Sequence, residues 1–204
     1  LKIKVGGDLM IYSYLGTPGS GKSLHSAKDI VQHLARGSLV ICNFPVNFGY
    51  LKMNKKSRFV FLKNKWIEDT PRLLKCAIRN YKEKYPDRPV LIVLDECQSF
   101  LDSRSWNRSG RTEWNDFFAQ HRKICGLHGK IILITQNEKA LDKRILPLCE
   151  YYILHRKLIN GSWWETFIAA LFLGNLFRSV TYWRPTKERM NGSFFVCRKK
   201  YGSI

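Results

Sequence analysis

The stretch Ile11-Tyr12-Ser13-Tyr14-Leu15-Gly16-Thr17-Pro18-Gly19-Ser20-Gly21-Lys22-Ser23 sets the reading of everything around it. Residues 11–15 have the aromatic and β-branched composition of a strand. They run directly into Gly16-x-x-x-x-Gly21-Lys22-Ser23, the phosphate-binding-loop (P-loop) pattern. A helical pattern follows at once, with Leu24, Ala27, Val31 and Leu34 on one face and Lys28, Gln32 and Arg36 on the other, up to Gly37. A strand before and a helix after give the pattern its meaning. Glycines there let the backbone turn tightly, so that successive N–H groups point inward at phosphate oxygens. The positive end of the following helix faces the same anion. The expected nucleotide-binding set is Gly16, Thr17, Pro18, Gly19, Ser20, Gly21, Lys22, Ser23 and Leu24. Lys22 would neutralise the β- and γ-phosphates, and the Ser23 hydroxyl would coordinate Mg²⁺.

Outward from this segment, short apolar runs alternate with helical patterns, which predicts an α/β fold with a mostly parallel central sheet flanked by helices. Strands are expected at residues 39–42, 59–62, 90–94 and 131–134. A second helix has Thr70 as N-cap, Pro71 in its first turn, and Leu73, Leu74, Ala77, Ile78 and Tyr81 as its apolar stripe. A third is expected over residues 113–125, carrying Trp114, Phe117 and Phe118. Residues 90–94 are continuously apolar, as suits a central strand covered on both faces. They end in Asp95-Glu96, and ligands of open α/β sheets bind at that carboxyl edge. Asp95 is the expected second Mg²⁺ partner, and Glu96 is placed to act as general base on water. A base beside the metal carboxylate favours hydrolysis over transfer to an acceptor. Gln136, just past the next strand, could contact the γ-phosphate or the water, or simply end that strand with a polar residue. A guanidinium supplied by a neighbouring subunit could complete the site; Arg104, Arg122 and Arg144 are candidates, the last two ranked first.

Beyond about residue 150 the texture changes. Residues 151–158, 178–183 and 193–200 are aromatic, basic and strand-like, with the apolar segment 163–177 between them. This divides the chain into residues 10–156 and a β-rich extension, 157–204; residues 1–9, upstream of Met10, are expected outside the core. Thirty-five Lys and Arg against sixteen Asp and Glu give +19, a charge that attracts nucleic acid or an anionic membrane surface without separating the two. The longest uncharged stretch, residues 166–177, falls short of the roughly 20 residues needed to cross a bilayer. Segment 163–177 suits a membrane surface, a core helix or a subunit contact. No C-x-x-C pair occurs, and Cys42, Cys97 and Cys149 sit in apolar runs as small buried hydrophobes, so neither zinc nor disulfides are expected. No signal-peptide pattern is evident, in keeping with a reducing cytoplasm. The five histidines lack metal-site spacing, and His121 reads as a packed core residue.

The chain resembles the zonula occludens toxin-like family, which includes the assembly ATPases of filamentous phages. The resemblance rests on the opening segment 11–23, on Ile92-Val93-Leu94-Asp95-Glu96-Cys97-Gln98, on Phe118-Ala119-Gln120-His121-Arg122-Lys123 and on Ile131-Ile132-Leu133-Ile134-Thr135-Gln136-Asn137. It covers about residues 10–156 well and the remainder loosely. It implies ATP as the nucleotide and an oligomer related to ring-forming DNA translocases. It also implies a role at the cytoplasmic face of the bacterial inner membrane, driving phage assembly and extrusion. The implied partners are phage assembly proteins or inner-membrane components, with single-stranded DNA and an anionic membrane surface both compatible. Phage-type members carry a membrane span and a periplasmic tail after the ATPase domain, and no such apolar stretch lies in these 204 residues. Nothing in the quoted residues supports a toxin activity. Two other readings stand beside this one: a small-molecule phosphotransferase with residues 99–111 as lid, and a nucleotide-dependent DNA-binding protein.

Overall fold

The computed structural model describes residues 10–48, 53–63, 70–101, 111–126, 128–158, 167 and 176–196. The first strand, β1 (Met10–Leu15), feeds the phosphate loop and helix α1 (Lys22–Arg36). Strands β2 (Leu39–Cys42) and β3 (Arg58–Phe61), helix α2 (Thr70–Lys84) and strand β4 (Val90–Leu94) follow. Helices α3 (Arg111–Ala119) and α4 (His121–Cys125) precede β5 (Lys130–Thr135), and the chain continues through β6 (Tyr151–Lys157), β7 (Leu176–Trp183) and β8 (Arg189–Val196). These strands form one sheet in the order β3-β2-β4-β5-β1-β6-β7-β8. Pairing is parallel from β3 to β6 and antiparallel from β6 to β8. The fold is the expected mixed α/β architecture, with a mostly parallel sheet and antiparallel strands at its C-terminal end.

Strand alternation sends two apolar sets to opposite faces. Leu91, Val93, Ile132 and Ile134 pack with Ile30 and Leu34 of α1 on one face. Ile92, Leu94, Ile131 and Leu133 pack on the other, against Leu74 and Ile78 of α2 and Trp114, Phe117 and Phe118 of α3. Between β5 and β6 the parallel crossover uses only short 3₁₀ turns, at Glu138–Ala140 and Leu146–Leu148. Leu141, Ile145 and Cys149 from this connection fill the place a helix would take. No helix among the described residues is long and apolar enough to cross a membrane.

Several expectations shift in detail. The buried stripe of α1 centres on Ala27, Ile30 and Leu34 rather than on Val31, and Leu73 of α2 is exposed while Leu74, Ile78 and Tyr81 are buried. The single helix expected over 113–125 is broken at Gln120, where the His121 ring nitrogen lies 2.6 Å from the Phe118 carbonyl. A side chain that takes a helical carbonyl competes with the backbone ladder there. The last strand starts at Arg189, not 193, because Trp183 and Glu188 close a tight turn and β7 then pairs with the polar Asn191-Gly192-Ser193 stretch. Tertiary pairing overrides weak strand propensity in this stretch. Residues 197–200, and Arg104 with most of the 99–111 segment, lie outside the described residues, as does most of segment 163–177.

Candidate nucleotide site

The phosphate loop is shaped by close approach. Gly16 has φ +150, and a Cβ there would stand 2.6 Å from both the His155 carbonyl oxygen and Ser20 Oγ. Gly21 has φ +90, and a Cβ would meet the Phe177 ring at 2.8 Å. Only glycine fits between the loop and β6 at the first position, and between the loop and β7 at the second. Lys22 Nζ donates to the carbonyls of Gly16 (2.8 Å) and Thr17 (2.9 Å), so the ammonium folds back over the loop. Burial lowers its pKa below the usual lysine value, while the carboxylates of Asp95 and Glu96 work against that shift. Ser20 Oγ is buried without a hydrogen-bond partner among the described residues. Helix α1 has no acidic residue in its first turn. Glycine-lined backbone, an ammonium, an orphan hydroxyl and a helix N-terminus converge, which fits a phosphate chain.

The acidic pair closes the other side. Asp95 follows the fully buried β4 and is half-buried, with Oδ2 accepting from Ser23 Oγ at 3.2 Å. This hydroxyl and carboxylate are hard oxygen donors of the kind that hold Mg²⁺, whose remaining shell comes from phosphate and water. In keeping with so sparse a protein shell, no cluster of three or more His, Cys, Asp or Glu suited to a metal is found among the described residues. Glu96 is exposed and sits in the left-handed region at φ 48, its N–H donating to Asp95 Oδ1 at 2.8 Å. A glutamate held there stores strain of about 1–3 kcal/mol, the kind found at functional turns. Gln136 is exposed just past β5, and because β5 lies between β1 and β4, it stands between the phosphate loop and the acids.

Sequence reasoning missed three supports of this site. Asn43, directly after β2, accepts from the Asp95 N–H (2.7 Å) and donates to the Asp95 carbonyl (2.9 Å), fixing the peptide on which Asp95 and Glu96 turn. The available signal was positional: Asn43, like Asp95 and Gln136, is a polar residue close behind a buried strand. Second, His25 Nδ1 and His155 Nε2 are 2.8 Å apart behind the loop. His155 Nδ1 faces the carbonyls of Leu15 (3.3 Å) and Ile153 (3.1 Å), so it carries the proton and its Nε2 accepts from His25. Burial depresses both, His25 to about 4 and His155 to about 3. Third, Phe195 of β8 stacks on Phe177 and packs against His25, so the C-terminal hairpin braces the loop.

The two arginines do not join the site within the chain. Arg122 pairs with Glu150 at 2.5 Å, and Glu150 binds Ile11 at the start of β1, which puts Arg122 at the sheet edge opposite the loop. Arg144 is exposed on the β5–β6 connection, where its N–H donates to Asp142 Oδ1.

The family model described as Zonular occludens toxin (Zot) matches residues 10–190. The chain is 30% identical over 160 residues to the Gene 1 protein of Enterobacteria phage I2-2, covering 74% of this chain and 41% of that one. It is 29% identical over 185 residues to the Gene 1 protein of Enterobacteria phage fd, covering 85% and 47%. The chain thus spans less than half the length of these curated relatives. In shape it is similar to the N-terminal domain of zonular occludens toxin from Neisseria meningitidis, with TM-score 0.55, 16% identity and coverage of 95% and 97%. It is also similar to the genome packaging NTPase of Sulfolobus turreted icosahedral virus 2, solved with ATP-gammaS, with TM-score 0.56, 15% identity and coverage of 92% and 96%. At such identities the likeness speaks for the fold.

Proposed function

This chain belongs to the zonular occludens toxin family of P-loop NTPases, and we propose that it hydrolyses ATP as an oligomeric motor for filamentous phage assembly. The observation that carries the reading is the meeting of Ser23 Oγ and Asp95 Oδ2, 3.2 Å apart, beside the Lys22 ammonium and Glu96. In this reading the loop amides and Lys22 hold the β- and γ-phosphates, and Ser23 and Asp95 hold Mg²⁺. The cation, when bound, neutralises charge between the phosphates. Glu96 takes the proton of the attacking water, and Gln136 orients that water or senses the γ-phosphate. Asn43 keeps the acidic turn in register with the loop.

Residues 10–156 form the ATPase unit of this proposal, and 157–204 the extension that braces it. Arg122 or Arg144 would act from a neighbouring subunit; the outward position of both is compatible with that role. The matches to phage Gene 1 proteins support a place in phage assembly. Extrusion at the cytoplasmic face of the inner membrane, with phage assembly proteins or inner-membrane components as partners, is part of the same proposal.

Phosphate release is the test, measured without any acceptor and against protein concentration. Glu96→Gln should keep ATP binding within about twofold and lower turnover by about 100-fold or more. Undiminished turnover in that variant would remove the assigned base. Release that requires an added acceptor would identify a phosphotransferase instead.

A further inference from the structure

We infer that the face of β6–β8 turned away from α1 binds single-stranded nucleic acid, with Tyr182, backed by Tyr152, and Phe194 as base-stacking surfaces and Arg156 and Arg178 as phosphate contacts. Strand alternation separates the two faces of this region. His155, Phe177 and Phe195 turn toward the phosphate loop and its helix. Tyr152, Leu154 and Arg156 of β6, with Arg178, Val180 and Tyr182 of β7, therefore share the other face. Under β4 and β5 that face is covered by α2 and α3. Across β6–β8 no described helix packs on it, and a cavity of about 120 Å³ opens between the two strands.

The register makes this face chemically specific. Arg156 stands directly opposite Arg178, Leu154 opposite Val180, and Tyr152 opposite Tyr182. Like charges directly opposite one another destabilise a sheet. Among the described residues no carboxylate pairs with either arginine; Arg178 instead lies over the Phe194 ring at 5.8 Å. By contrast Arg184, at the inner margin, is neutralised by Glu138 and covers the Tyr152 ring at 5.4 Å. The unneutralised pair calls for an anion. Four residues along, the tyrosine rings stack at 5.0 Å with 8° between their planes, and Phe194 is 65% exposed.

The cation pair and the aromatic pair lie about 13 Å apart along the strands, so one extended single strand can set phosphates on the first and bases on the second. Duplex DNA would present phosphates to the arginines but keep its bases from the rings. An anionic membrane would also satisfy the arginines, and the experiment below separates it from a single strand. The inference does not depend on ATP hydrolysis, so either reading can fail alone.

The experiment is fluorescence anisotropy with a labelled oligothymidylate of about 16 nucleotides. Two double variants of equal charge are compared: Arg156→Ala/Arg178→Ala on this face, and Arg79→Ala/Lys84→Ala on exposed positions of α2. The face pair should weaken binding about tenfold and reduce the log–log salt slope by about 1.4, the value for two phosphate contacts on a single strand. The α2 pair should stay within about twofold. Tyr182→Leu should lose about fivefold with an unchanged salt slope, while Tyr182→Phe retains affinity, which separates stacking from folding defects. Equal losses in the two double variants would overturn the proposal. So would dependence on the face arginines for binding phosphatidylglycerol vesicles but not the oligonucleotide, which would mark a membrane surface. A dimer that dissociates only in the face variant, with oligonucleotide affinity intact, would likewise overturn it and mark a contact between copies.

Discussion

The parallel half of the sheet and its antiparallel end are built for different work. In β4 all five residues are buried, because helices cover both faces. In β7 burial alternates for much of the strand, and in β8 nearly every described side chain is exposed. Continuous burial makes the first region a rigid frame, and its carboxyl edge carries the phosphate loop, the acid pair and Gln136. Single-sided burial lets the second region do two things at once. Its inner face braces the loop through Phe177 and Phe195, and on its outer face, where no described helix packs, Arg156 and Phe194 are exposed.

The sharpest probe of that division is the contact between the halves. Gly19→Ala introduces a side chain at φ +71 with nothing within 4 Å, whereas Gly21→Ala combines φ +90 with the Phe177 ring at 2.8 Å. Each change carries about 1–3 kcal/mol of backbone strain, but only the second also displaces the hairpin. Gly21→Ala should therefore lower ATP affinity about tenfold more than Gly19→Ala, measured by calorimetry, and Phe177→Leu should recover part of the difference. Equal effects would mean that the hairpin does not brace the loop.

A smaller effect is expected wholly within the parallel half. Asn43→Ala leaves the Asp95 N–H and carbonyl without their partner, a cost of about 1–3 kcal/mol. Turnover should fall about tenfold while nucleotide affinity changes little, since the phosphate loop is untouched. A loss of affinity with turnover intact would contradict the clamp.

The gentlest probe is pH. His25 and His155 are held near 4 and 3 in the fold, below the ordinary histidine value of 6.5. Protons therefore bind the unfolded chain more readily between about pH 6.5 and pH 4, and stability rises with pH across that window. The stabilisation is present in full above 6.5 and is lost on acidification, at up to about 1.4 kcal/mol per pH unit for each group. Thermal melting between pH 7 and 5 should show this slope, to which His33, pushed down by burial to about 4, also contributes, and His25→Phe should reduce it by about a third. Asp29 titrates outside the window: burial alone would raise its pKa, but Lys130, 3.0 Å away, and His25 outweigh that and hold it below the usual carboxylate value.

The sequence by itself determined the parts whose information is local. The phosphate loop was legible because glycine spacing, a strand before and a helix after all lie within residues 11–37, where backbone sterics and side-chain period decide the geometry. Asp95 and Glu96 were legible because a five-residue apolar run must end at a sheet edge. Only the tertiary structure decided that β5 lies between β1 and β4, that Asn43 grips a residue 52 positions away, and that Arg122 sits on the far edge. It alone set the β7–β8 hairpin against Gly21, with Arg156 facing Arg178. Those outcomes depend on which strands meet and in what register, which is a free-energy comparison among whole-chain pairings that no short window of sequence contains.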